Sequence, residues 1–445
     1  MFPAPIDRQI IDKYNYPGPR YTSYPTPPNW NPNFGAKEFY ETLRASNRTS
    51  QPLSLYFHLP FCSMRCTFCA CSIVATRKRE VVEPYLKALL REIDVVAEVL
   101  DPSRKTVQIH WGGGTPTYLS SKEMEKLFLH IRKKFRVGDR AEISAEVDPR
   151  VTTDEQLMTL KELGFNRVSL GLQDFAPEVQ KLSGRIQSET ETRHIIDVCR
   201  FLNFESVNLD LVYGLPSQTL QTFQQTLQKV ISLGPNRIAL FNFAYVPWIH
   251  AHQKQIFEKD LPGPHAKLGM FCLGIETFEA AGFDFIGLDH FAKKEDELTK
   301  AKKEGTMYRN FQGYTTHREC DLIGFGVTAI SSVHGALAQN AKKLKEYQEA
   351  VLETGLTTHA GLQLSAEDLK RQAIIRELFC HQKVFLDGAF EAERKKLKPF
   401  EADGLVRWDG DELQVTRLGR LFLRNIGMVF DAYLQNGGGK FSRTV

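Results

Sequence analysis

The chain has 445 residues, 42% of them hydrophobic and 25% charged, which suits two or three folded domains and excludes a disordered polyelectrolyte. A net charge of +4 is too small to argue for nucleic-acid binding and is compatible with an acidic small substrate. No apolar run reaches the roughly 18 residues that a membrane helix needs. The opening MFPAPIDRQI lacks the cationic-then-apolar order of a signal peptide, so a reducing, cytoplasmic setting is expected.

Residues 1–36 read as an N-terminal arm. Its Tyr16–Thr26 stretch is rich in Pro, Gly and Tyr, and Pro17, Pro19, Pro25, Pro27 and Pro28 disfavour a helix there. The arm is either an irregular segment packed on the domain or a lid over a cavity. From residue 53 to about 245 a strand–helix rhythm follows. Candidate strands are 53–59, 106–111, 142–147, 167–172, 206–212 and 237–243, with helical patterns between them such as 81–100 and 121–135. That alternation predicts an α/β fold of parallel βαβ units, and six units suit a partial (β/α)6 barrel.

The strands do not read as the continuous apolar runs of parallel strands buried on both faces. Ser54, Tyr56 and His58 alternate with leucines and Phe57; Gln108 with His110, Glu142 with Ser144 and Glu146, and Asn208 with Asp210 follow the same period. With helices on the outside, the polar face must point into the lumen. Buried polar groups without partners cost about 1–3 kcal/mol each, so the lumen is expected to hold ligands or water. The strand ends carry small or polar residues, including Gly112-Gly-Gly-Thr-Pro-Thr117, Glu146, Gln173, Asp210 and Ala244. Barrel enzymes place their chemistry at those ends. The glycine turn serves either as a tight connection or as a backbone that approaches a ligand, with free backbone groups to bind it.

Four of the eight cysteines lie between Cys62 and Cys71, in the order C-x3-C-x2-C-x-C after the first strand. Three readings compete. A disulfide pair requires an oxidising compartment, and a structural zinc site normally draws on two separated pairs. An iron–sulfur cluster takes thiolates from short spaced runs. Cys199, Cys272, Cys320 and Cys380 are scattered and read as small buried hydrophobes.

Beyond residue 245 the rhythm changes. A helix is expected over 265–282, a charged helix with a solvated face over 293–303, and a turn near Gly324 and Gly326. Residues 363–445 form a C-terminal unit with helices at 369–380 and 390–400, a hairpin around Asp409-Gly410 and a last helix over 417–434. It is mainly helical and winged-helix-like, but lacks a basic recognition helix, which argues against nucleic-acid binding. The expected division is an arm at 1–36, a barrel domain with its extension at 37–362, and a helical domain at 363–445.

The three cysteines, with the aromatic Phe68 before the third, resemble the radical S-adenosylmethionine (SAM) superfamily. The x-C extension at Cys71 resembles its oxygen-independent coproporphyrinogen III oxidase family. So do the strings NYPGPRYTSYPT, HWGGGTPTYL, EVDPR, GLQDF, DLVYGLP, GLDHFA and RNFQGYTT, which span nearly the whole chain. The resemblance implies a 4Fe–4S cluster held by Cys62, Cys66 and Cys69, with its fourth iron left to SAM, and two SAM molecules in all. Tyr56, Gly113, Glu146 and Ile330 would contact the first. Phe68, Gly114, Thr115, Gln173, Arg185, Asp210 and Ala244 would contact the second, Gly114 being shared. Phe311 and Gln312 would line the active site, together with Tyr56, Glu146 and Cys71, whose role is not iron binding.

The implied reaction uses a 5′-deoxyadenosyl radical to convert two propionate side chains of coproporphyrinogen III to vinyl groups in haem biosynthesis. It calls for an electron donor such as a flavodoxin-type protein, and a monomer is expected. Arg20 and Arg309 are candidate partners for substrate carboxylates. The alternatives are a haem chaperone with the same three cysteines, another radical SAM protein acting on tetrapyrroles, and a zinc-stabilised interaction protein.

Overall fold

The computed structural model describes residues 6–434 and 441–445; the first five residues of the arm lie outside the described residues. Its centre is one twelve-stranded sheet. The six expected strands are present as β1 Leu53–Leu59, β2 Lys105–Gly113, β3 Arg136–Val147, β4 Arg167–Gln173, β5 Ser206–Tyr213 and β6 Arg237–Asn242. They run parallel in sequence order. β7 Phe283–Gly287 and β8 His290–Lys293 form an antiparallel hairpin on the β6 edge. β9 Asp321–Phe325, β10 Ile330–Val333, β11 Ala336–Gln339 and β12 Ala360–Gln363 extend the β1 edge.

β9 pairs parallel with β1, Tyr56 lying opposite Gly324. The parallel barrel therefore has a seventh strand, where a turn was expected around Gly324. All five of its residues are buried, so no alternation of exposed and buried positions announced it. A buried ion pair pins it: Arg104 bonds Asp321, with side chains 2% and 4% exposed, and also the Gln51 carbonyl and the Ser46 hydroxyl.

Helices α1 Arg8–Tyr14, α2 Ala36–Ser46, α3 Val82–Val99, α4 Ser121–Lys134, α5 Asp154–Glu162, α6 Glu189–Phe201 and α7 Leu220–Leu233 precede α8 Pro264–Ala280 and α9 Leu344–Thr354. Several start on reciprocal caps, among them Ser120 with Glu123, Thr153 with Gln156, and Ser188 with Glu191. Gly234, at φ +64°, ends α7. None of the described helices is long and apolar enough to cross a membrane.

The arm differs from its expected irregularity in carrying α1, upstream of the prolines. It is packed rather than free. Tyr21 donates to Asp431 (2.8 Å), Gln372 to the Tyr24 carbonyl (2.8 Å), and Arg424 to the Gly18 and Pro19 carbonyls (2.6 and 3.2 Å). The C-terminal unit contains α10 Ala366–His381, α11 Glu391–Ala402 and the hairpin Val406–Asp409/Glu412–Val415, to which Lys383–Phe385 adds a third strand. The expected last helix is broken: a 3-10 turn over Gly419–Phe422 leads into α12 Leu423–Met428. The expected solvated helix over 293–303 is also corrected. Residue 293 closes β8, the helix is Glu297–Lys303, and it buries Leu298, Thr299 and Ala301.

Candidate active site

The lumen is polar, as the alternation requires, but much of it is self-satisfied. Ser54 donates to Gln108 (2.7 Å) and Gln108 to Glu142 (2.8 Å). Arg167 pairs with Glu142 and Glu297, and Arg237 with Asp296 and Glu297, so charges expected in solvent plug one end of the barrel. A cavity of about 200 Å³ remains above this plug.

The cysteine loop leaves β1 and is tied into a closed lobe. Cys62 pairs alongside Ala75, and the Thr76 amide donates to the Cys62 carbonyl (2.9 Å). Thr67 is held by the Ser183 and Leu182 carbonyls. The segment after β6 clamps the other side: His252 bonds the Cys69 carbonyl (2.7 Å), and Gln253 donates to the Phe68 and Ala244 carbonyls (3.0 and 3.1 Å). Neither residue gave a signal in sequence, because their role is set by a loop returning 183 residues later. All four cysteines of the loop line one cavity of about 380 Å³ at the C-terminal ends of the strands. The Cys71 amide donates to the Cys69 sulfur (3.4 Å), and Cys62 Sγ meets the Thr115 hydroxyl (3.4 Å).

The glycine turn permits that closeness. A methyl group on Gly114 would stand 2.6 Å from the Pro60 carbonyl carbon, and Gly113, at φ +104°, would place one 2.4 Å from the His58 ring. The amides of the turn are engaged within the protein. The Gly113 amide donates to Glu146 (3.0 Å), Gly114 to the Leu59 carbonyl (2.9 Å) and Thr115 to the Phe61 carbonyl (2.8 Å).

Glu146 and Asp210 face the same cavity with different electrostatics. Burial disfavours the Glu146 charge, yet the bonds from His110 and the Gly113 amide hold it below the usual carboxylate range. Asp210 is pushed up to about 6 by burial and then by the neighbouring Glu146 charge, against bonds from Asn208 and Ser169. His58 ties Tyr56 to the cysteine loop, bonding Tyr56 (3.0 Å) and the Ser72 carbonyl (2.9 Å).

Beside Cys66, Asp148 bridges two arginines. Arg150 bonds it at 2.6 Å, and Arg185 at 3.1 Å through both nitrogens of its fork. Each guanidinium also stands 3.9 Å from the Cys66 sulfur. Arg150 Nη1 and Arg185 Nε are buried with no protein partner. Asp148 and Arg150 lie in EVDPR, directly after a strand end, and that position was the signal that could have picked them out.

Of the expected site residues, Cys62, Cys66, Cys69, Cys71, Phe68, Gly113, Gly114, Thr115, Glu146, Gln173, Arg185, Asp210 and Ala244 line this one cavity. Tyr56 lies behind it, stacked on His110. Ile330 and Phe311 line a separate cavity of about 90 Å³ under the arm. Gln312 lies between the polar lumen and a third chamber, which Phe311 also borders.

These residues fit an iron–sulfur cluster better than a single ion. A structural zinc site draws on four closed ligands, commonly two separated pairs, whereas here three thiols come from one short run. The three thiols instead ring a cavity with two arginine forks on one flank. Those forks, with unused donors, suit the excess negative charge of a thiolate-bound cluster and an anionic ligand group.

A partial parallel barrel with three loop thiolates at its C-terminal mouth defines the radical SAM class of protein, and the Radical SAM superfamily profile matches residues 56–230. The oxygen-independent coproporphyrinogen III oxidase of Synechocystis sp. is 43% identical over 98% of this chain and 97% of its own. That of Escherichia coli K12 is 42% identical over 99% and 98%. The solved structure of coproporphyrinogen III oxidase from Escherichia coli superposes with a TM-score of 0.91 at 41% identity, covering 96% of this chain and 99% of that one. The chain belongs to the oxygen-independent coproporphyrinogen III oxidase family.

Proposed function

We propose that the protein carries out the oxygen-independent oxidative decarboxylation of two propionate side chains of coproporphyrinogen III, giving the vinyl groups of protoporphyrinogen IX. The observation that carries this reading is the convergence of Cys62, Cys66 and Cys69 on one cavity that also borders Arg20. When bound, the cluster and SAM supply reductive C–S cleavage and with it a hydrogen-abstracting carbon radical. Each side chain then loses one β-hydrogen, carbon dioxide and one electron, and its two remaining carbons form the vinyl group.

The chain's own residues hold and shield. Cys62, Cys66 and Cys69 ligate iron, while Arg150 and Arg185 offset the cluster's charge. Glu146, held ionised, fits an ammonium group, and Asp210 fits hydroxyl recognition. Gly114 would let the backbone come close to both of two SAM molecules, one held by Gly113 and Glu146 with Tyr56 behind them and Ile330 reached only from the neighbouring cavity, the other by Phe68, Thr115, Gln173, Arg185, Asp210 and Ala244. Phe311 and Gln312 line the substrate side, and Cys71 borders the cluster without ligating it. The packed arm and the C-terminal unit keep water and oxygen from the reacting centre. In this reading the protein works as a cytoplasmic monomer, and a flavodoxin-type donor supplies the electron. The arm, barrel and helical domain divide near residues 36 and 362.

The test is an anaerobic reaction of the iron–sulfur-reconstituted protein with SAM, a reductant, an electron acceptor and coproporphyrinogen III. Protoporphyrin fluorescence after oxidation and 5′-deoxyadenosine should both appear, and both should vanish in Cys66→Ser. Tight haem binding with neither product would favour the chaperone.

A further inference from the structure

Between the arm, β6, the β7–β8 turn and the C-terminal unit lies a chamber of about 170 Å³ lined by Arg20, Arg309, Arg420 and Arg424. None of the four guanidiniums is bonded to a carboxylate there. Arg20 donates to the Asn242 carbonyl, Arg309 to the Tyr21 carbonyl, Arg420 to the Phe285 carbonyl (2.6 Å), and Arg424 to the Gly18 and Pro19 carbonyls. Arg309 Nε is buried with no partner among the described residues. Among the described lining residues the one carboxylate is Asp289, already bonded to His290 (2.5 Å). Glu279, just outside, is engaged by Arg417.

We propose that this chamber binds the carboxylates of the tetrapyrrole that are not being removed, and so selects substrates by carboxylate number. The proposal rests on the decarboxylase reading above. Concentrating four cations against one anion in a protein interior is costly, and a polyanionic ligand reverses that cost through charge-assisted, fork-like hydrogen bonds. Burial and neighbouring cations already push the resident groups down: Arg420 and Arg424 to about 10, and Lys267, behind Arg20 and Arg424, to about 8. Arg20 borders both this chamber and the cysteine cavity, and Phe241 and Asn242 form the rest of the shared wall. A volume of about 170 Å³ admits side-chain carboxylates but not a four-pyrrole ring, which is larger than a typical small-molecule pocket of that size can hold. The ring would therefore lie across the shared wall, with one propionate toward the cysteines and the others among the arginines. After the first decarboxylation three carboxylates remain and the intermediate is retained. After the second, two remain and the product leaves.

The experiment compares stable oxidised porphyrins as probes on the reconstituted full chain with SAM, by fluorescence titration. Coproporphyrin III, with four carboxylates, should bind at least tenfold more tightly than protoporphyrin IX, with two, because two carboxylates' charge-assisted bonds to the arginines are missing from the latter. Arg309→Gln should narrow that ratio while barely moving protoporphyrin IX, and Arg309→Lys should restore part of it. Equal affinity of the two porphyrins for the unmodified protein overturns the proposal whether or not any variant folds, and so does an unchanged ratio in folded Arg309→Gln. Vinyl formation measured alongside separates the two readings. Product without carboxylate selectivity sinks only the chamber, and selectivity without product sinks only the decarboxylase.

Discussion

At the scale of single residues, the site depends on backbone proximity and on two carboxylates tuned apart. Gly114→Ala would force a methyl into the Pro60 and Phe61 backbone, which cannot rotate away, so the cysteine loop must shift. The variant should fold, with iron content per chain after reconstitution falling severalfold; full iron content and activity would contradict the account. Asp210, with a carboxyl pushed up to about 6, protonates as pH falls through that value and loses acceptor capacity. Binding of S-adenosylhomocysteine, followed by calorimetry, should weaken from pH 7.5 to pH 5.5, by about fourfold at most, and Asp210→Asn should flatten the dependence. The thiolates, Glu146 and Asp210 were legible in sequence because strand period and strand ends placed them. Asp148 and Arg150 carried the same strand-end signal without being singled out, whereas His252 and Gln253 carried none, because their roles depend on which loops meet over the cysteine lobe.

At the scale of elements, six barrel strands and helices such as α3, α4, α8 and α10 could be read from their periods, whereas β9 could not. A short strand buried along its whole length carries no alternation, and Gly324 inside it with Gly326 just after it look like a turn. What fixes it is a contact remote in sequence, Arg104 with Asp321. Arg104→Met leaves that aspartate buried without its partner and should destabilise the protein by about 3–5 kcal/mol. Urea unfolding should show this as a lower midpoint at unchanged slope. A midpoint equal to that of the unmodified protein would mean that the pair does not anchor the strand. The same remoteness explains the charged segment before Lys303, whose Asp296 and Glu297 turn inward to close the barrel against Arg237 and Arg167.

For the whole molecule, stability and chemistry meet at Glu92 on α3. Its carboxyl, 2% exposed, accepts from the Gly326 amide (2.8 Å), Asn340 (2.6 Å) and Tyr347 (2.7 Å), and so fastens the β9–β10 turn and α9 to the barrel. Burial pushes it up to about 7, against those bonds. The folded state then binds more protons than the unfolded state between about pH 4.5 and 7. This group's contribution is therefore fully present below that window and declines as pH rises through it, by about 3 kcal/mol at most. Thermal unfolding of Glu92→Gln should lose that part of the slope; an identical pH profile would remove Glu92 from the account.

The most direct test of the whole reading is the mass of the tetrapyrrole recovered from one anaerobic turnover with coproporphyrinogen III and SAM. The account predicts a product lighter by carbon dioxide and two hydrogens for each of two side chains, with no methyl group gained. A methylated product, or an unchanged tetrapyrrole beside consumed SAM, would contradict it.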